Sequence, residues 1–113
     1  FVYIMGFPQA KKMVSTAIVS SPNYDRNNSF ILDVRTQDEV DEGYLPNATN
    51  IDIYKGQGFI DELEKLDKTK NYYVYCRSGN RSGKACAIMN SLGFENAYNL
   101  EGGFMNWEGE IAE

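Results

Sequence analysis

Apolar residues run through this chain in two rhythms, one of helical spacing and one of short unbroken clusters, and the two alternate. Between Pro8 and Ser20, Ala10, Met13, Val14, Ala17 and Ile18 recur at i, i+3, i+4, i+7 and i+8, the stripe of an amphipathic helix. Phe1 to Met5 before it reads as a short strand, and Ser21-Pro22-Asn23-Tyr24-Asp25 ends the helix. Phe30 to Val34 is a nearly continuous apolar run, suited to a strand covered on both faces. Thr36 and Glu39 are spaced as a capping box for a short helix that Gly43 or Pro46 ends.

The alternation continues. Thr49 to Ile53 predicts another short strand, and Phe59, Ile60, Leu63 and Leu66 mark one face of a helix whose Asp61, Glu62 and Glu64 turn to solvent. Tyr72 to Tyr75 predicts a strand, Ala85, Ile88, Met89 and Leu92 a helical face ending at Gly93, and Ala97 to Leu100 a last strand. Gly102 and Gly103 turn the chain into a closing helix whose Phe104 and Trp107 are read as a hydrophobic lid on the core. Strands alternating with helices at short intervals require crossovers, so the expected class is α/β: a mostly parallel central sheet of about five strands with helices on both faces. Ligand sites in such sheets lie beyond the carboxyl ends of the strands.

Length and charge narrow the function. With 113 residues the chain is expected to form one compact unit, 1–113, without a linker. No apolar run approaches the roughly 18 residues of a membrane span, and Phe1 to Phe7 is too short and too weakly basic for a secretory signal. The net charge is −5, yet Lys68, Lys70, Arg77, Arg81 and Lys84 follow one another with no acid between Lys68 and Phe94. A local positive field on an acidic molecule favours a small anion over nucleic acid. Cys76 and Cys86 fit neither a disulfide scaffold nor a zinc pattern, so reduced thiols and a cytoplasmic location are expected, with no metal site and no cofactor. The chain has no histidine, which removes Ser-His-Asp and Cys-His activation together. A nucleophile here must be activated by fixed positive charge.

Cys76 is the candidate nucleophile. Tyr75-Cys76-Arg77-Ser78-Gly79-Asn80-Arg81-Ser82-Gly83 reads as a strand end, a glycine-containing loop and a helix start, where successive N–H groups can converge on an anion. The helix N-terminus adds roughly half a positive charge, and Arg77, Arg81 and Lys84 add more. Such surroundings bring a cysteine from a pKa of about 8.5 into a range of about 3.5 to 7.5. The loop Arg77, Ser78, Gly79, Asn80, Arg81 and Ser82 is the candidate substrate-binding segment. Arg35 is expected to pair with an acid such as Glu39 and brace the fold, Asp33 is a residue that could flank the site, and Cys86 is expected to serve packing.

Four segments resemble the single-domain rhodaneses: Phe30-Ile31-Leu32-Asp33-Val34-Arg35, Glu42-Gly43-Tyr44-Leu45-Pro46-Asn47-Ala48, Cys76-Arg77-Ser78-Gly79-Asn80-Arg81-Ser82, and Glu101-Gly102-Gly103-Phe104 with Trp107. The second departs from the family's usual pattern, which has His and Gly where Tyr44 and Asn47 stand. The resemblance implies a rhodanese-like domain over 1–113 and a double displacement. Cys76 would attack the outer sulfur of thiosulfate or another sulfane donor, hold it as a persulfide, and yield it to cyanide or a thiol. Sulfite and thiolate leaving groups need little protonation, so no imidazole is required. Arg77 and Arg81 would hold the anionic donor while loop amides receive the negative charge of the sulfur. The expected partners are therefore a small anionic sulfur donor and a thiol or cyanide acceptor, with a protein acceptor left open and neither nucleic acid nor membrane. The rival readings are a persulfide carrier serving a partner protein, and a Cys-dependent phosphatase or arsenate reductase. In the resemblance, the six residues from Cys76 to Arg81 imply a ring sized for one sulfur atom, where seven would fit a tetrahedral oxyanion.

Overall fold

A computed structural model describes residues 12–113. Among the described residues five strands form one sheet: β1 (Met13–Ser15), β2 (Ser29–Asp33), β3 (Thr49–Asn50), β4 (Asn71–Tyr75) and β5 (Ala97–Glu101). Their order is β1-β5-β4-β2-β3 and each neighbouring pair is parallel. Three α-helices lie between strands: α1 (Gln37–Asp41), α2 (Gln57–Glu64) and α3 (Asn80–Ser91). Short 3-10 turns occupy Thr16–Ser20, Ile53–Lys55 and Gly103–Asn106. The expected parallel α/β sheet is thus the observed one.

Strand parity sorts the core into two clusters, because successive side chains point to opposite faces of a sheet. Leu32, Val34, Tyr72, Val74, Cys76 and Ala97 face Phe59 and Leu63 of α2 and Ala85, Cys86 and Met89 of α3. Phe59 and Leu63 are 1% and 0% exposed, a burial that stabilises the fold by about 1.5–3 kcal/mol for each side chain. Ile31, Tyr75 and Leu100 point the other way, against Val19, Leu45, Phe104 and Trp107. Phe104 and Trp107 therefore do cover the core, although the segment that carries them is a 3-10 turn rather than a longer helix.

Local chemistry fixes the ends of several elements. The capping box at α1 is present in both directions: Glu39 N–H donates to Thr36 Oγ1 at 3.3 Å and Thr36 N–H to Glu39 Oε1 at 3.1 Å. Beyond it, Asn47 has φ 70°. Asparagine is one of the few side chains that enters this left-handed region readily, which is why it can stand where the resembling family usually has glycine.

Two expectations change. The stripe from Met13 to Ile18 is not a helix: Met13–Ser15 pairs with Asn99–Glu101 of β5, and Thr16–Ser20 follows as a 3-10 turn capped by Ser15, whose Oγ accepts from Ala17 N–H at 3.1 Å. An open sheet edge offers ladder partners that local periodicity does not register, and β-branched Val14 suits it. The strand expected over 49–53 stops at Asn50, because Asp52 accepts from Tyr54 N–H at 2.8 Å and starts a 3-10 turn. The strand expected at Phe1 to Met5, and the first part of the helix expected after it, lie outside the described residues.

Candidate active site

Cys76 leaves β4 on the face that α3 covers and is 1% exposed. The loop after it is closed. Gly79, in a left-handed conformation with φ 116°, turns the chain into α3, whose positive N-terminal end starts at Asn80. The turn brings Gly79 N–H to 3.0 Å from Cys76 Sγ, and Ser82 Oγ stands 3.4 Å from the same sulfur. Burial pushes the thiol up, but hydrogen bonds from the Ser82 hydroxyl and from the N–H groups of Ser82, Gly79 and Ser78 outweigh it, so the thiol ionises below its ordinary range.

The closing segment braces this loop from behind. Phe104 N–H donates to Cys76 O at 2.9 Å and Met105 N–H to Arg77 O at 3.1 Å. Such an approach leaves no room for a side chain at Gly103: a Cβ there would lie 2.4 Å from Cys76 O, and its φ is +59°. The Gly102-Gly103 pair thus lets one backbone seat the other.

The two arginines of the loop differ in their engagement. Arg81 Nη1 and Nη2 meet Glu39 Oε1 and Oε2 at 2.7 and 2.9 Å, and its guanidinium lies 5.7 Å from the Tyr54 ring. This fork, foremost, holds the Glu39 carboxyl down at about 2, from an ordinary 4.5. Arg77 is exposed and makes no side-chain hydrogen bond or ion pair among the described residues. Ser78 and Asn80 are also exposed, Gly79 and Arg81 half-buried, and Ser82 buried.

The expected Arg35–Glu39 pair is not formed. Arg35 instead clasps Asp33, with Nε 3.0 Å from Oδ1 and Nη2 2.8 Å from Oδ2, and donates to Gly43 O at 2.7 Å. Tyr75 Oη donates to Asp33 Oδ2 at 2.6 Å and accepts from Leu45 N–H at 3.1 Å. Asp33 and Arg35 are 1% and 3% exposed and share the sheet face of Tyr75, opposite Cys76. They brace the turn at 43–48 and do not flank the sulfur. Of the five basic residues expected to form one field, Lys68 pairs with Glu64 at 2.6 Å and caps Leu92 O, while Lys70 donates to Asn28 Oδ1 at 2.9 Å. Both lie at the opposite end of α3 or β4 from the loop, so Arg77, Arg81 and Lys84 are the basic residues of that run near it. Cys86 lies in the core, where burial pushes its thiol up to about 12.

Two residues at the site escaped the sequence reading. As an ion-pair partner, Glu39 is expected from the sequence only for Arg35, whereas the fold brings Arg81 to it. Asn99 is 6% exposed, accepts from Ser82 Oγ at 2.6 Å and donates through Nδ2 to Gly79 O at 3.2 Å. Its signal was an amide placed between Ala97 and Leu100 in an interior strand, where a polar side chain must find partners.

A parallel sheet carries a thiol at the end of β4, held by a closed amide loop at the following helix start, which defines an α/β protein of strand–loop–helix site geometry. The chain belongs to the family described as rhodanese-like domain, whose pattern matches residues 16–110. It is 41% identical over 100 residues to YtwF of Bacillus subtilis (strain 168), a protein provisionally named as a sulfurtransferase, with 88% of this chain and 92% of that one covered. It is 35% identical to a tRNA uridine(34) hydroxylase of Cytophaga hutchinsonii over 74% of this chain but 27% of that protein. Among solved structures it is similar to the rhodanese-like domain protein of Staphylococcus aureus, at 35% identity and a TM-score of 0.66, covering 74% of this chain and 79% of that one. Family membership supports an activity related to sulfur transfer.

Proposed function

We propose that this protein is a rhodanese-type sulfurtransferase in which Cys76 carries a sulfane sulfur. The Cys76 thiolate attacks the outer sulfur of thiosulfate or a comparable persulfide donor. The S–S bond of the donor breaks, its electron pair leaves on sulfite or thiolate, and Cys76 keeps the outer sulfur as a persulfide. Attack on that sulfur by cyanide or a thiol returns the electron pair to Sγ. One hard transfer becomes two easier ones, and neither leaving group needs a strong acid.

The observation that carries this reading is the loop closed on the sulfur itself, with Gly79 N–H 3.0 Å from Sγ. A ring gathered that tightly suits a single sulfur atom better than the tetrahedral oxyanion of a phosphatase. Arg77, exposed and unengaged, is the group that meets an anionic donor. Arg81, its charge met by the Glu39 carboxylate, shapes the helix start. Ser78, Gly79, Asn80 and Ser82 complete the cradle with main-chain or hydroxyl donors. The hydroxylase activity named for the Cytophaga protein is not carried over, since the matched stretch is 27% of that enzyme.

Incubation with thiosulfate followed by intact mass tests the proposal. One added sulfur, lost on cyanide treatment and absent in Cys76→Ala, supports it. A chain that never gains mass from thiosulfate or from a low-molecular-weight persulfide would overturn it.

A further inference from the structure

The Ser82 hydroxyl has one proton and two claimants. Its oxygen lies 2.6 Å from Asn99 Oδ1 and 3.4 Å from Cys76 Sγ. The orientation of the Asn99 amide is settled by its other end, because Gly79 offers a carbonyl oxygen at 3.2 Å and only Nδ2 can donate to it. Oδ1 must then face Ser82, and at 2.6 Å it takes the hydroxyl proton. While the proton points that way, Ser82 can only accept from sulfur, an arrangement that suits a protonated Cys76. A charged sulfur needs the proton turned towards it, which leaves a buried amide oxygen without a donor.

We propose that Asn99 is a positioning residue that sets the direction of the Ser82 proton, holding it while Cys76 is protonated or bonded to a second sulfur and giving it up when Sγ is charged. This rests on Cys76 being the nucleophile, as proposed above. Asn99 thereby opposes premature ionisation of the sulfur. It also ties β5 to the loop, since Gly79 presents its N–H to Sγ and its carbonyl to Asn99. The Gly79 peptide keeps a second anchor without it, as Gly83 N–H donates to Gly79 O at 3.0 Å. The ionisable groups around this end of the sheet are Arg77 in the loop, Lys84 and the buried Cys86 of α3, Arg81 with Glu39 from α1, Tyr54 beside Arg81, and the Asp33–Arg35–Tyr75 cluster on the other face. None of them bonds to the Ser82 or Asn99 side chain among the described residues, and all are common to every variant below.

The test is the pH dependence of Cys76 alkylation by iodoacetamide. An unpaired buried acceptor is costly, and the tenfold in rate below the midpoint expected for it corresponds to about 1.4 kcal/mol. Asn99→Leu removes that cost, so its midpoint falls by about one pH unit, with about tenfold faster alkylation on the acid side. Asn99→Asp holds the proton more strongly and moves the midpoint up. In a Ser82→Ala background the Asn99→Leu displacement disappears. A loosened site would instead raise the midpoint in both Asn99 variants. An unmoved or raised midpoint in folded Asn99→Leu, or the same fall without Ser82, overturns the inference, and if Asn99→Leu does not fold, an Asn99→Asp midpoint at or below that of the wild type does so. The readout is independent of sulfur loading: failure to take sulfur from thiosulfate with the displacements intact rejects the sulfurtransferase reading alone.

Discussion

Removing the charge of Glu39 isolates the ion pair that holds Arg81. Glutamine at this position keeps the helix-capping geometry, since a capping box accepts Glu or Gln, so Glu39→Gln subtracts little besides the carboxylate. The carboxyl is held at about 2 instead of 4.5, first by its hydrogen bonds from Arg81. At about 1.4 kcal/mol per pH unit this sets a ceiling of about 3.5 kcal/mol. The Glu39 side chain is 29% exposed, and solvent screening reduces the expected loss to about 1–2 kcal/mol at pH 7. The sign follows from the lowered value: the contribution is complete above about 4.5 and is lost as pH falls towards about 2. Urea denaturation of wild type and Glu39→Gln at pH 7 and at successively lower pH measures both effects. The gap should narrow across that acid window. A gap that is absent at neutral pH, or that persists unchanged at pH 2, would refute the argument.

Other consequences are as direct. Gly103→Ala forces a Cβ to within 2.4 Å of Cys76 O at a positive φ, and a loss of more than about 2 kcal/mol in urea stability is expected together with slower sulfur loading. At Asn47, with φ 70°, Asn47→Val should cost about 1–2 kcal/mol while Asn47→Gly is neutral or slightly stabilising, as thermal melts would show. Cys86, whose thiol is pushed up to about 12 by burial, should stay unalkylated in the native protein at pH 8 and react once the chain is unfolded, as peptide mapping would show.

Much of the architecture was legible because its determinants are local. The apolar run at Phe30–Val34, the Thr36–Glu39 box, the α2 stripe and the loop from Cys76 each carry their instruction within a few residues, and each appears where expected. What was not legible depends on partners far along the chain. β1 exists because β5 offers it an edge, which a helical stripe at Met13–Ile18 conceals. Glu39 and Arg81 are 42 residues apart, and nothing in their spacing ranks that pairing above Arg35 with Glu39. Asp33 took Arg35 because both project from the same face at the end of β2, which strand parity explains only once the core is known. Asn99 shows the same limit: its polarity within β5 signals a partner, while the identity of that partner follows from the loop geometry.

Sulfur transfer at this site requires Cys76 as a thiolate held by main-chain donors and Ser82. Its ionisation, followed by the pH dependence of iodoacetamide alkylation in Cys86→Ala protein, is the direct measure. The predicted midpoint lies below that of an ordinary cysteine thiol, about 8.5. A midpoint at or above about 8.5 would mean that burial prevails over the cradle, and would contradict a persulfide-carrying role for Cys76.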